Sequence, residues 1–122
     1  MKIEQQVTSL EISKRLKELA VKQEGIFHWF DRAEVNAFKG EPPLLLQEIQ
    51  DTNPHRYSSF TVAELGEMLP KFFISGKEEI GGPYFCNDDS VLSKITGILT
   101  TADTEADARG KMLIYLLENK LI

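Results

Sequence analysis

Residues 104–122 read TEADARGKMLIYLLENKLI. Thr104 has the chemistry of a helix cap, with Asp107 in the capping-box position. Glu105 falls in the first turn, where the helix dipole favours negative charge. Ala106, Gly110, Leu113 and Leu117 recur along one row, with Met112 and Leu116 beside it. The spacing predicts a helix over 104–119 with a broad apolar side. Gly110 inside that helix costs about 1 kcal/mol relative to alanine, so close packing of another element is expected there. Such a face must be buried against something. The rest of the chain has to supply the surface.

Two more helices are expected. Residues 61–69 begin with the pair Thr61 and Glu64, a capping box in which each side chain serves the other's backbone N–H. Val62, Leu65 and Met68 or Leu69 form the apolar side. Phe60 precedes the cap and is placed to pack on Leu65 as a hydrophobic staple, and Pro70 closes the segment. Near the start of the chain, Thr8 and Glu11 repeat the capping-box spacing, and Ile12, Leu16, Leu19 and Ala20 follow at helical intervals. A helix over 8–21 is predicted. Its other side carries Glu11/Arg15, Lys14/Glu18 and Glu18/Lys22 at i,i+4. Because these bases are interleaved with glutamates, that side is read as solvated.

Between the helices lie strand-like segments. Gly25 breaks the first helix. Ile26–Phe30, IFHWF, is rich in strand formers. Period two puts Ile26, His28 and Phe30 on one side and Phe27, Trp29 and Asp31 on the other. Both sides are aromatic, so the strand is either covered on both or exposes one as a binding surface, the Phe27/Trp29 side being the first candidate. Residues 31–42 are charged and end in a turn signature at 39–43. LLLQEI over 44–49 suits helix or strand, and is assigned as the second strand of a hairpin with 24–31. Residues 51–58 read as a polar loop. Strands are expected at 71–75 and 84–86, linked through Gly76 to Pro83, with a turn at 87–90. Residues 91–101 are ambiguous, with a strand favoured around 95–101. The expected architecture is α+β: one domain over 1–122, with a largely antiparallel sheet of four or five strands and three helices.

Composition sets further bounds. The chain has 122 residues, and 42% are hydrophobic, which suits one globular domain with its own core. One cysteine, Cys86, excludes an internal disulfide and a multi-cysteine zinc site. Net charge is −5, which opposes nonspecific binding to phosphate backbones. Residues 1–23 hold five bases against three acids, or +2, so residues 24–122 carry −7. The first 19 residues contain no apolar core of a leader, and the longest apolar runs are a few residues. Neither a signal peptide nor a membrane span is expected, and a cytoplasmic location follows as the expectation.

No stretch has the spacing of a catalytic or metal motif. Gly76-x4-Gly81-Gly82-Pro83 starts like a phosphate loop but lacks the following Lys and Ser/Thr, and Pro83 has no N–H to offer. Asn87-Asp88-Asp89 lacks the downstream glutamate of a calcium loop. His28 and His55 stand 27 residues apart. They read as a half-buried strand residue and an exposed loop residue. Cys86 reads as a buried, inert thiol. Asp103, Glu105 and Asp107 read as helix-start chemistry. No catalytic, cofactor-binding or metal residue is assigned, and no cofactor is expected.

Three blocks carry a resemblance. EISKRLKELAVKQEGIFHWF (11–30), YSSFTVAELGEMLP (57–70) and ADTEADARGKMLIYLLENKLI (102–122) resemble a recurrent signature of small, uncharacterised proteins encoded by bacterial phages and prophages. The chain is more loosely similar to small α-β-α sandwich domains of phage proteins. Gly110 departs from the pattern, where alanine is expected. The resemblance implies origin and assigns no activity. Three functions follow as expectations: a non-catalytic module that binds another protein, an acidic mimic of nucleic acid that blocks a DNA-binding protein, and an enzyme or small-ligand binder with an unrecognised site. The first leads.

Overall fold

A computed structural model describes residues 2–35, 40–47, 54–69, 73–77, 83–88 and 99–122, with backbone alone at 73, 74, 87 and 88. These hold three helices, α1 (Leu10–Glu18), α2 (Val62–Met68) and α3 (Glu105–Glu118), and two short 3-10 turns at Ile3–Gln5 and Arg32–Glu34. Six strands complete the α+β fold: β1 (Phe27–Phe30), β2 (Leu44–Gln47), β3 (Arg56–Ser59), β4 (Phe73–Lys77), β5 (Tyr84–Asp88) and β6 (Leu99–Ala102). They form two antiparallel three-stranded sheets, ordered β2-β1-β3 and β4-β5-β6, in place of one sheet of four or five strands.

The hairpin of 24–31 with 44–49 exists: β1 pairs with β2, Trp29 opposite Leu45. The expected polar loop at 51–58 holds at residues 54–55, which form a turn, but not beyond them. Residues 56–58 belong to β3, which pairs with the other side of β1, Trp29 opposite Tyr57. Asn87 and Asp88 likewise continue β5, opposite Ile74 and Phe73. Both errors have one cause. Polar residues pass for loop in a sequence, yet a strand needs only its backbone groups to be paired. Gly76 also lies inside β4, so the link to Pro83 starts later than expected. The last strand is confirmed, at 99–102. Residues 36–39, 48–53, 70–72, 78–82 and 89–98 lie outside the described residues, and with them Pro70, Gly81, Gly82 and Asp89.

The apolar core gathers around α3. Met112, Leu113 and Leu116 are buried against Leu16 of α1, Phe60, Leu65 and Leu69 around α2, and Cys86 of β5. α3 lies on the second sheet, while α1 packs on edge strand β3 and on α3. At the α1–α3 crossing a Cβ on Gly110 would stand 2.6 Å from Ile12 Cγ2 and 3.1 Å from Thr8 Cγ2. That close approach is why glycine occupies a helix interior here.

Thr8 corrects the expected cap. The residue that caps α1 is Ser9, whose side chain accepts from the Ile12 N–H. Thr8 is completely buried. Its Oγ1 accepts from the Phe60 N–H at 3.0 Å and lies 2.8 Å from Ser13 Oγ. Its carbonyl accepts from Trp29 Nε1 at 2.8 Å. One residue thereby ties α1 to β1 and to the entrance of α2. Asp107 completes the knot: its Oδ1 accepts from the Ser9 N–H at 2.7 Å. Thr104 caps α3 as expected, but the carboxylate in the box position serves the start of another helix.

Both α1 and α3 end in the same turn. Val21 N–H bonds to Leu16 O and Ala20 N–H to Lys17 O; Leu121 N–H bonds to Leu116 O and Lys120 N–H to Leu117 O. These are Schellman motifs. The left-handed position, at which glycine is usual, holds Ala20 with φ 66° and Lys120 with φ 53°. Each turn throws apolar residues back over the molecule: Val21 after α1, Leu121 and Ile122 after α3.

Candidate functional site

Two places bring chemistry together. The first is a charged cluster where α1 meets the first sheet. Lys14 Nζ donates to Asp31 Oδ2 at 2.5 Å and to Glu34 Oε2 at 3.4 Å. Tyr57 OH donates to Glu34 Oε1 at 2.8 Å, and His55 Nδ1 lies 3.3 Å from the same oxygen. Lys17 Nζ donates to the carbonyls of Arg56 and Pro54. Lys14 and Lys17 also stand 5.4 and 4.8 Å from the Tyr57 ring centroid, within cation–π reach.

The electrostatics of this cluster favour a neutral Tyr57 phenol, an ionised Glu34 and a charged Lys14. Burial, then the bond to Glu34, push the Tyr57 phenol up to about 12. Burial opposes the Glu34 carboxylate, but donation from Tyr57, His55 and Lys14 outweighs it and lowers the pKa. The bond to Asp31 raises Lys14 further, against desolvation. A general acid or base works best with a pKa near the working pH. Here the shifts run outward on both sides, as they do in a structural clamp.

The expected solvated side of α1 is therefore in large part a tertiary contact. Lys14 and Lys17 reach across to the first sheet, and Arg15 pairs with Glu118 at 3.1 Å and with Glu18 at 2.9 Å. Periodicity sees charges on one helix and cannot see the sheet that approaches them.

The second place is an apolar groove of about 450 Å³. Its apolar lining is Val21, Phe60, Met68, Leu113, Leu117 and Ile122. Charged residues at its rim are Lys22, Glu24, Glu64 and Glu67. Each helix contributes. Val21 and Ile122 come from the turns that end α1 and α3, Leu113 and Leu117 lie one turn apart on α3, and Glu64, Glu67 and Met68 share one side of α2 at i, i+3 and i+4. Ile122 of this lining is 50% exposed, and Ile26 and Leu121 elsewhere on the surface are 47% and 44% exposed. Sequence reading placed several of these residues in helices but missed the groove, which exists only where three helix ends converge.

The residues singled out in the sequence are dispersed. Trp29 is 9% exposed, with its indole N–H committed to Thr8. The Phe27/Trp29 side is thus not an open binding surface; the chain covers it itself. His28 is half-buried with Nδ1 3.4 Å from Ser58 Oγ, whereas His55 sits in the Glu34 cluster, half-buried and not fully exposed. Cys86 is fully buried, and burial raises its pKa to about 11, the condition of an unreactive thiol. Asp107 is raised by burial, while Glu105 accepts from Ser75 Oγ. Among the described residues, no group of three or more His, Cys, Asp or Glu side chains could hold a metal ion. No described helix is long and apolar enough to cross a membrane.

Comparison with known proteins finds no matching family model, no match among curated proteins and none among solved structures. The phage resemblance accordingly rests on the three sequence blocks alone.

Proposed function

We propose that the protein is a small, non-catalytic, protein-binding module of phage or prophage origin, and that the groove between the helix ends is its docking site. The groove carries this reading. Apolar side chains from three helices and the turns that end them converge there, and Ile122 among them is 50% exposed. Contiguous exposed apolar surface of this kind marks contact sites in soluble proteins. A non-catalytic role is supported by the charged cluster, in which the Glu34 carboxyl is lowered and the Tyr57 phenol raised. The nucleic-acid-mimic reading gains little: Glu18, Asp31, Glu34, Glu41 and Glu118 are each paired with a cation.

The test is capture of host proteins by the wild-type chain and by Ile122→Asp, a change at an exposed position, with both folds checked by circular dichroism. A stoichiometric partner held by wild type and lost by the variant is expected. Partners that bind both equally would remove the groove from the proposal.

A further inference from the structure

The groove also specifies the chemistry of what it binds. We infer that it takes a protein segment whose apolar anchor side chains are flanked by lysine or arginine. This rests on the protein-binding reading above and deepens it.

The rim supplies the argument. Among the described residues it holds three carboxylates against one ammonium, a local balance of −2. Those carboxylates are not equivalent. Glu64 is employed within the fold: its Oε1 accepts from the Thr61 N–H, and its Oε2 lies 3.4 Å from the Ile26 nitrogen. Glu24 and Glu67 are exposed and make no ion pair among the described residues. Elsewhere on the chain acids such as Asp31, Glu34 and Glu118 are paired with cations. Glu4 and Glu11, like Glu24 and Glu67, are exposed and make no ion pair among the described residues, and of these four only Glu24 and Glu67 line the apolar groove.

An apolar segment entering the groove displaces water from its rim. A neutral or acidic occupant would desolvate Glu24 and Glu67 without replacing their hydrogen bonds, which costs affinity. A flanking lysine or arginine replaces those bonds and adds electrostatic steering during approach. The two acids come from different elements, Glu24 from the segment after α1 and Glu67 from α2. A segment long enough to fill the apolar trough and carry cations beside it satisfies both; a small apolar molecule satisfies neither. Helix-in-groove recognition, with anchors at helical spacing, is the matching mode.

The probe is a displayed library of random 16-residue peptides, selected on the full chain and then on the double variant Glu24→Lys/Glu67→Lys. Both positions are on the surface, so the variant should fold. Peptides with Lys or Arg beside Leu, Ile, Phe or Trp are expected from wild type. Their amide-shift footprint should fall on α2 and the ends of α1 and α3. The double variant should bind them about tenfold more weakly, the size expected for two exposed charge contacts reversed. Binding should also weaken in high salt. Groove-bound peptides that are neutral or acidic would overturn the charge assignment and leave the docking site standing. Peptides that bind only elsewhere, or no enrichment at all while an alkylammonium amphiphile titrates into the groove, would overturn both.

Discussion

The two sheets have the same size and the same antiparallel pairing, yet they are held by different physics. The second sheet lies under α3, and its buried centre is apolar: Cys86 sits against the core of Met112 and Leu116. Polar links such as Thr100 Oγ1 to the Ala108 carbonyl at 2.7 Å and Arg109 to Ser75 are added around it. Among the apolar side chains of the first sheet only Trp29 is buried, at 9% exposure. Its attachment to α1 is a set of directed polar contacts: the Lys14–Asp31–Glu34–Tyr57 cluster, Lys17 on two carbonyls, and the Trp29 N–H on Thr8. Apolar burial neither titrates nor is screened by salt, whereas ion pairs are screened and ionisable groups titrate. One chain thus joins two sheets of equal size whose responses to solution conditions should differ.

The largest expected effect breaks the apolar half. Met112→Ala removes a fully buried side chain from the shared core and should cost about 2–5 kcal/mol. Chemical denaturation should show one cooperative loss that includes both sheets, because α1 and α3 share that core. Loss of the second sheet alone would show that the halves are separate cooperative units.

Next in size is the joint between the halves. Thr8→Val keeps shape but deletes the hydroxyl that serves the Phe60 N–H and Ser13. The stranded Phe60 N–H should cost about 1–3 kcal/mol. Indole N–H exchange at Trp29, read by NMR, should accelerate by more than the loss of global stability explains.

The cluster itself sharpens the comparison through pH. A phenol is neutral when protonated, so a folded pKa of about 12 against an ordinary 10.0 stabilises the fold fully below pH 10. That contribution is lost as pH rises from 10 to 12. Glu34 works at the other end. Its folded pKa is lowered from 4.5, so its contribution is present above pH 4.5 and is lost as pH falls through the lower folded value. Amide exchange in β1 and β3 should therefore rise at both extremes, before exchange in β5. Tyr57→Phe should abolish the component that titrates between pH 10 and 12 and flatten the alkaline limb of the unfolding midpoint. An unchanged limb would mean that Lys14, also raised, is its source.

The smallest effect is a gain. Ala20 and Lys120 occupy left-handed backbone that costs a non-glycine residue about 1–2 kcal/mol. Ala20→Gly and Lys120→Gly should each raise stability by about 0.5–1 kcal/mol once the added freedom of the unfolded chain is subtracted. Thermal unfolding would detect either.

Much of the helical framework is legible in the sequence. Thr61 and Glu64 do form a reciprocal box, Thr104 does cap α3, and Gly110 does mark a close crossing. These are local rules whose participants lie within four residues, or whose anomaly is visible in a single position. The hairpin of β1 with β2 was legible for a similar reason, since two strand-forming runs flank one turn signature. Thr8 was misread because its spacing to Glu11 satisfies the same local rule, while its partners, Phe60 and Trp29, are far along the chain. Arg56–Ser59 was misread because four residues of mixed polarity carry no periodic signal until β1 lies beside them.

Sequence alone therefore determined the α+β class, the three helices with two of their caps, and the improbability of a disulfide or a familiar catalytic motif. Backbone hydrogen bonding and side-chain periodicity act over a few residues, so one strand of text contains them. Only the tertiary structure decided that the strands divide into two sheets, that the charged side of α1 clamps one of them, and that three helix ends enclose an acid-rimmed groove. Each of those depends on groups tens of residues apart meeting in space, and their energies come from burial and charge pairing that no local pattern encodes.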